Sequence, residues 1–147
     1  MLPQVRLLED HELWDSFVQT FPNASFLQST AWADLKSKYG WVAKRFVLGD
    51  NRSLRGGVQV LIRTRKLSPL GPSTGIAYVP RGPLVAEAVG ARALVQAVVK
   101  EAHRCGSSIL RIEPTSDDHA RILLEEGFTF SRKFVQIPRT GVIELGH

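Results

Sequence analysis

A single cysteine, Cys105, stands in the chain, which excludes an intramolecular disulfide and any fold held together by cross-links. Its setting in an apolar helical stretch reads as a structural thiol of a reducing compartment rather than a nucleophile. The four histidines, His11, His103, His119 and His147, share no ligand spacing, so no metal site is expected. His103 and Cys105 are two positions apart on a helix and point away from each other, which disfavours a Cys–His dyad. No stretch approaches the roughly 20 apolar residues that cross a bilayer. The opening MLPQVRLLEDHELW carries acids within its first dozen residues and no apolar run of secretory length. These features predict a cytoplasmic protein without a transmembrane segment. No lysine-rich tail, zinc-finger spacing or basic helix is present, which argues against DNA as a partner.

What is present fits one globular domain. Of the 147 residues 44% are hydrophobic and 22% charged, and the formal net charge is +5. That length suits a single core and is too short for two ordinary domains. The positive balance suits phosphate-bearing or acidic partners. The cations are dispersed: Arg52 and Arg55, then Arg63, Arg65 and Lys66, then Arg81, then Arg132 and Lys133.

Periodicity supplies the order of elements. QVRLLE (4–9) reads as a strand, and Asp10 stands where a helix N-cap belongs, before Leu13, Trp14, Phe17, Val18 and Phe21 at helical spacing. Pro22 and Asn23 break that helix. A second helix is capped at Ser29 or Thr30, with Trp32, Leu35 and Tyr39 as its expected inward face, and Gly40 ends it. Strands over 42–48 and 58–66 form an antiparallel hairpin across Gly49, Asp50 and Asn51. In the second of them Val58, Val60, Ile62 and Thr64 share one face, and Gln59, Leu61, Arg63 and Arg65 the other. A strand over 75–79 ends in PRGP. The period then lengthens: Leu94, Val95, Val98, Val99 and Ala102 form a helix that Gly106 stops. SILRIEP (108–114) is a strand with Leu110 and Ile112 inward and Arg111 and Glu113 opposite. Thr115 or Ser116 caps a last helix that Gly127 closes, and two strands, 128–139 and 140–145, are expected to finish the chain. The reading is an α/β domain over 1–147, with a mixed, mostly antiparallel sheet flanked by helices and a βαβ unit in the middle.

This order resembles the acyl-CoA N-acyltransferase fold of the GCN5-related N-acetyltransferases. FLQSTAWADLKSKYGW, GVQVL, AYVPRGPLV, LRIEP and the segment from Gly127 to Thr140 resemble, in order, the N-terminal domain of the FemA/FemB/FemX (FemABX) peptidoglycan interpeptide-bridge aminoacyltransferases. That family carries two such domains, and this chain resembles the first. The resemblance implies transfer of an amino acid from aminoacyl-tRNA to the peptide of a nucleotide- or lipid-linked muramyl precursor, with tRNA engaged only together with a second domain. An isolated first domain is therefore expected to be incomplete. The resemblance also implies that Lys36, in WADLK, holds the precursor's diphosphate, and that Tyr78 lies near the same precursor. The other reading of Lys36 is a side chain that lies along Trp32 to reach solvent, and of Tyr78 a strand tyrosine that fills the core.

Arg81 stands between Pro80 and Pro83, a setting that suits a guanidinium gripping phosphate or carboxylate. Pairing with Glu87 or Glu113 is the alternative. The residues 84–95 hold one glycine, Gly90, where a coenzyme A enzyme would open its helix with a glycine-rich loop. No cofactor is therefore expected, and no catalytic residue is assigned. Attack of an amine on an aminoacyl ester needs positioning and oxyanion stabilisation more than a nucleophile. Two other functions share these residues: a non-catalytic precursor-binding or assembly module, and a CoA-dependent N-acyltransferase. A homodimer through the final strands, or through the face meant for a second domain, is a further expectation.

Overall fold

A computed structural model of the chain describes residues 2–22, 24–133 and 135. After strand β1 (Val5–Leu7), the Asp10 carboxylate accepts from the Leu13 amide at 2.9 Å and caps α1 (His11–Thr20). A single 3-10 turn, Phe26–Gln28, leads to Ser29, whose hydroxyl caps α2 (Thr30–Ser37). Strands β2 (Val42–Asp50) and β3 (Ser53–Lys66) are joined by a tight turn. There the Asp50 carboxylate accepts from the amides of Arg52 and Ser53, both at 2.9 Å. β4 (Ser73–Val79), β5 (Leu84–Val85), α3 (Ala88–Arg104), β6 (Ile109–Ile112) and α4 (Asp117–Glu125) follow, the last capped by Ser116.

The sheet runs β1-β2-β3-β4-β6, with β5 returning to pair with β3. Every pairing is antiparallel except β4 with β6, which are parallel across α3. The expected fold class and βαβ unit are both present.

The two faces bury different residues. Val58, Val60 and Ile62 of β3 and Ala77 and Val79 of β4 pack with Leu94 and Val98 of α3. On the other face Trp14 and Phe17 of α1 pack with Val47 and Leu84, and Ala33 of α2 packs with Leu61 and Tyr78. The Trp14 ring lies so close to β3 that a Cβ on Gly57 would sit 2.6 Å from it.

Three expectations change. Leu35 and Tyr39 are exposed, and Thr30 and Ala33 are the buried residues of α2. The phase of that helix is set at its start, where Asp15 of α1 accepts from the Thr30 amide at 2.9 Å and from the Thr30 hydroxyl. With Thr30 and Ala33 turned inward, a residue two places after Ala33 points outward. Secondly, the segment after PRGP contains a two-residue strand, too short to leave a periodic signal. Thirdly, residues 128–133 form no strand. The rest of the expected final strands, with the dimer edge proposed at 140–145, lies outside the described residues, as does Asn23.

Two tests follow from the packing. Gly57→Ala drives a methyl into Trp14 and is expected to cost about 1–3 kcal/mol, read from urea denaturation; an unchanged midpoint would contradict the close approach. On α3 the Glu101 carboxylate accepts from Arg104 at 2.6 and 2.9 Å and from Lys44 of β2. Hydrogen bonding from Arg104, reinforced by Lys44 against the effect of burial, holds its pKa at about 2, below the ordinary 4.5. A depressed carboxylate contributes stability that is complete above its ordinary pKa and lost as pH falls through its folded one. Glu101→Gln is therefore expected to remove an acid limb of at most roughly 3 kcal/mol between about pH 4.5 and 2, and identical acid titrations of stability would refute the pairing.

Candidate functional site

The chain leaves β4 at Val79 and turns through Pro80, Arg81, Gly82 and Pro83 before β5. β3 pairs with β4 from Leu61 onward and with β5 at Gly56 and Gly57. Gln59 falls between these two partners, and its backbone needs hydrogen bonds from elsewhere. The side chain of Gln28, fully buried, supplies them. Its Oε1 accepts from the Gln59 N–H at 2.8 Å, and its Nε2 donates to the Gln59 carbonyl at 3.2 Å and the Pro80 carbonyl at 2.6 Å. Trp14 Nε1 donates to the Gln28 carbonyl at 2.6 Å. The Gln59 side chain closes the network, donating to the Ser29 carbonyl at 3.0 Å and accepting from Arg45 Nε at 2.9 Å. Burial holds the Arg45 guanidinium below its ordinary pKa, opposed by the charges of Asp15 and Asp34.

This network fixes the PRGP turn. Arg81 adopts φ +49°, a left-handed conformation that is uncommon for a residue with a Cβ. Gly82 donates its N–H to the Glu113 carbonyl at 3.0 Å. A Cβ on Gly82 would lie 3.1 Å from Val79 and 3.2 Å from Gln28 Nε2, so the turn packs directly on the amide that holds it.

Tyr78 projects from β4 onto the α2 face. It is buried, as the core reading of a strand tyrosine expects, and its hydroxyl donates to Glu113 Oε2 at 2.8 Å. Glu113 follows β6, so this bond ties the ends of the two parallel strands. Arg111 instead donates to the Lys133 carbonyl at 2.7 Å. The cluster of Ala33, Leu61 and Tyr78 is flanked by Trp32, Trp41 and Ala43. The Lys36 ammonium is 5.5 Å from the Trp32 ring centroid and 5.0 Å from that of Trp41, within cation–π range of both. Phe26 meets Trp32 edge-on, with ring centroids 5.6 Å apart. Among the described residues the Trp32 Nε1–H is buried without an acceptor.

Lys36 and Tyr78 thus border one aromatic cluster, while Arg81 lies three residues past Tyr78 on the PRGP turn. Two grooves are found elsewhere. One, of about 580 Å³, runs between the start of α3 and α4, lined by Ala88, Arg92, Ser116, His119 and Arg121 among others. The second, of about 400 Å³, lies between the C-terminal half of α3, Leu110 of β6 and residues 126–129. Neither is lined by Lys36, Tyr78 or Arg81. Arg92 is paired with Glu125 and Glu126, and Arg121 with Asp118. His119 is buried, which pushes its pKa down against a hydrogen bond to the Val85 backbone. Sequence reading missed Gln28, Gln59 and Trp41. The signal for the first two was a pair of uncharged polar residues inside apolar segments.

Comparison with known proteins gives four findings. The family model described as FemAB family matches residues 9–122. A lipid II:glycine glycyltransferase of Staphylococcus epidermidis is 40% identical over 68 residues, 46% of this chain and 15% of that protein. The crystal structure of FemX superposes with a TM-score of 0.71 at 26% identity, over 86% of this chain and 32% of that one. A Trypanosoma brucei acetyltransferase, 14% identical with a TM-score of 0.57 over 92% of this chain and 99% of that one, shares the fold. The chain thus spans about a third of FemX.

The network around Gln28 has a direct test. Gln28→Ala leaves the Gln59 N–H, the Gln59 carbonyl and the Pro80 carbonyl buried without this partner. At about 1–3 kcal/mol for each stranded group, a loss of roughly 3 kcal/mol or more is expected in denaturant unfolding. A loss under about 1 kcal/mol would show that water or a backbone shift replaces the amide.

Proposed function

The chain belongs to the FemAB family, and from that premise we propose that it is the precursor-binding domain of an aminoacyltransferase that builds the peptide bridge of peptidoglycan. In this reading an amino acid passes from aminoacyl-tRNA to an amine of a muramyl-peptide precursor, and this domain acts with a second one. The observation that carries the proposal is the Lys36 ammonium held over two indoles beside Tyr78. An ammonium lying on aromatic faces is positioned yet keeps donors for an anion, which suits a diphosphate. Lipid II:glycine glycyltransferases, among the relatives, support the same substrate class.

In this proposal the domain holds the acceptor substrate. The Tyr78 to Glu113 bond and the clamped PRGP turn keep the ends of β4 and β6 rigid, so a ligand seated on the α2 face meets a preorganised wall. Arg81, on that turn, is proposed to contact the precursor's phosphate or carboxylate. The aminoacyl-tRNA site is assigned to the second domain.

Isothermal calorimetry with a nucleotide-linked muramyl pentapeptide tests this. Lys36→Met is expected to weaken binding by about 10- to 100-fold, the worth of one charge-assisted contact, while leaving the circular dichroism spectrum unchanged. Acetyl-CoA is expected to bind more weakly than the muramyl peptide. Equal affinities for the two ligands, or a Lys36→Met variant that binds like the parent, would overturn the assignment. Tighter acetyl-CoA binding that survives Lys36→Met would move the site to the groove at the start of α3.

A further inference from the structure

Strand β3 runs on past the end of its neighbour β2. The first residue of β2, Val42, pairs with Ile62, so Arg63, Thr64, Arg65 and Lys66 pair only with Ile76 back to Ser73 of β4. Four residues at about 3.3 Å each carry this arm roughly 13 Å past β2, while β4 stays flanked there by Ile109 at Ile76 and by Ser108 at Gly75 and Thr74. Its tip is a closed loop, with the Leu67 N–H donating to the Pro72 carbonyl at 3.1 Å and the Gly71 N–H to the Ser68 carbonyl at 3.2 Å. Every residue from 63 to 70 is exposed. Leu67 is 64% exposed and Leu70 101%, so two largely exposed leucines lead the arm.

Charge reinforces this shape. Between Asp50 and Glu87 there is no acidic residue, while Arg52, Arg55, Arg63, Arg65, Lys66 and Arg81 all fall in that interval. Arg63, Arg65 and Lys66 stand just behind the leucines. At the shoulder of the arm Tyr39 is 64% exposed and Val42 59%. The Arg63 guanidinium lies near Gly40, 3.7 Å from a Cβ built there, so the arm and this shoulder are adjacent.

We propose that the β3–β4 hairpin docks the domain on an anionic phospholipid surface, with Leu67 and Leu70 entering the headgroup boundary and Arg63, Arg65 and Lys66 meeting lipid phosphates. An apolar tip backed by cations and an interfacial tyrosine is the pattern that binding to such a surface requires. A single-stranded or duplex nucleic acid would use the cations but gains nothing from two exposed leucines. The use of this docking rests on the proposed function: a lipid-linked precursor carries its diphosphate at headgroup level, and Lys36 lies on the helix that ends at the Tyr39 shoulder. Docking itself does not depend on that reading.

Co-sedimentation of the full chain with vesicles decides the matter. Binding is expected to vesicles of phosphatidylglycerol mixed with phosphatidylcholine, and not to phosphatidylcholine alone. Replacing both Leu67 and Leu70 by serine is expected to weaken it on the order of tenfold. Replacing Arg63, Arg65 and Lys66 by glutamine is expected to weaken it on the order of a hundredfold. Leu67 and Leu70 are not residues of the Lys36 cluster, so calorimetry of the leucine variant with the soluble muramyl peptide should be unchanged, and loss of that binding in Lys36→Met should leave sedimentation unaffected. Equal binding to both vesicle types, a leucine variant that binds like the parent, or binding of uncharged tRNA but not of vesicles would each overturn the proposal, the last in favour of RNA.

Discussion

A glutamine side chain standing in for a strand is the constraint on which this domain depends. Between its pairings with β4 and β5, β3 presents the backbone of Gln59 to a gap, and the Gln28 amide fills it as a peptide group would. The same amide reaches across to Pro80. The gap exists because the chain must leave β4, make the PRGP turn and come back as β5 opposite Gly56 and Gly57. Without a donor and acceptor in that space, the turn would leave buried backbone groups unpaired, at about 1–3 kcal/mol each. Trp14 and Gln59 lock the glutamine from behind, so α1, the 3-10 turn and the start of α2 are registered to the sheet through one residue.

That registration separates the faces of the sheet. The α3 face is filled by aliphatic side chains from four strands and two helices. The opposite face carries the polar network at its centre and the aromatic cluster of Trp32, Trp41 and Tyr78 beside it. Lys36 reaches that cluster only because Asp15 and Ser29 fix where α2 begins. A shift of one residue would rotate it by about 100° and carry the ammonium off the indoles. The groove at the start of α3 is built differently. Its two arginines are held by neighbouring carboxylates, and Glu87 stands at the N-cap position without a capping bond. Negative charge there weakens the appeal of that end to a polyphosphate.

Much of this was legible in the sequence, and the parts that were not share a cause. Asp10, Ser29 or Thr30, and Thr115 or Ser116 announced three helix starts because capping is local chemistry, and the structure uses Asp10, Ser29 and Ser116. Gly127, at φ +90°, announced an end for the same reason. The alternation of Val58, Val60 and Ile62 gave the α3 face of β3, and the change of period after PRGP gave the βαβ unit. Leu35 and Tyr39 were misread because hydrophobic spacing fixes the phase of an eight-residue helix poorly, and the deciding bond came from Asp15 on another helix. Gln28 and Gln59 were invisible to apolar periodicity, which scores a buried glutamine as surface. Lys36 was found through its resemblance to a family motif, and its two-indole seat required Trp41, which arrives from the far side of a turn.

The side chains that most resemble reactive groups are occupied in holding the fold. Cys105 donates to Glu101 at 3.2 Å, and burial pushes its thiol pKa up, away from the nucleophilic thiolate. His119 is buried with Nδ1 3.1 Å from the Thr115 hydroxyl and a further bond to the Val85 backbone, and its lowered pKa keeps it neutral. Ser116 spends its hydroxyl on a helix cap. What the described residues do offer is position: a cation seated on two rings, a tyrosine tied to a carboxylate, and a turn clamped on both sides. Attack by an amine on an activated ester asks for little else from the acceptor side. Its nucleophile belongs to the substrate, and orientation alone can replace much of the entropic barrier. A domain whose polar groups are committed to rigidity is therefore well matched to the holding half of such a reaction.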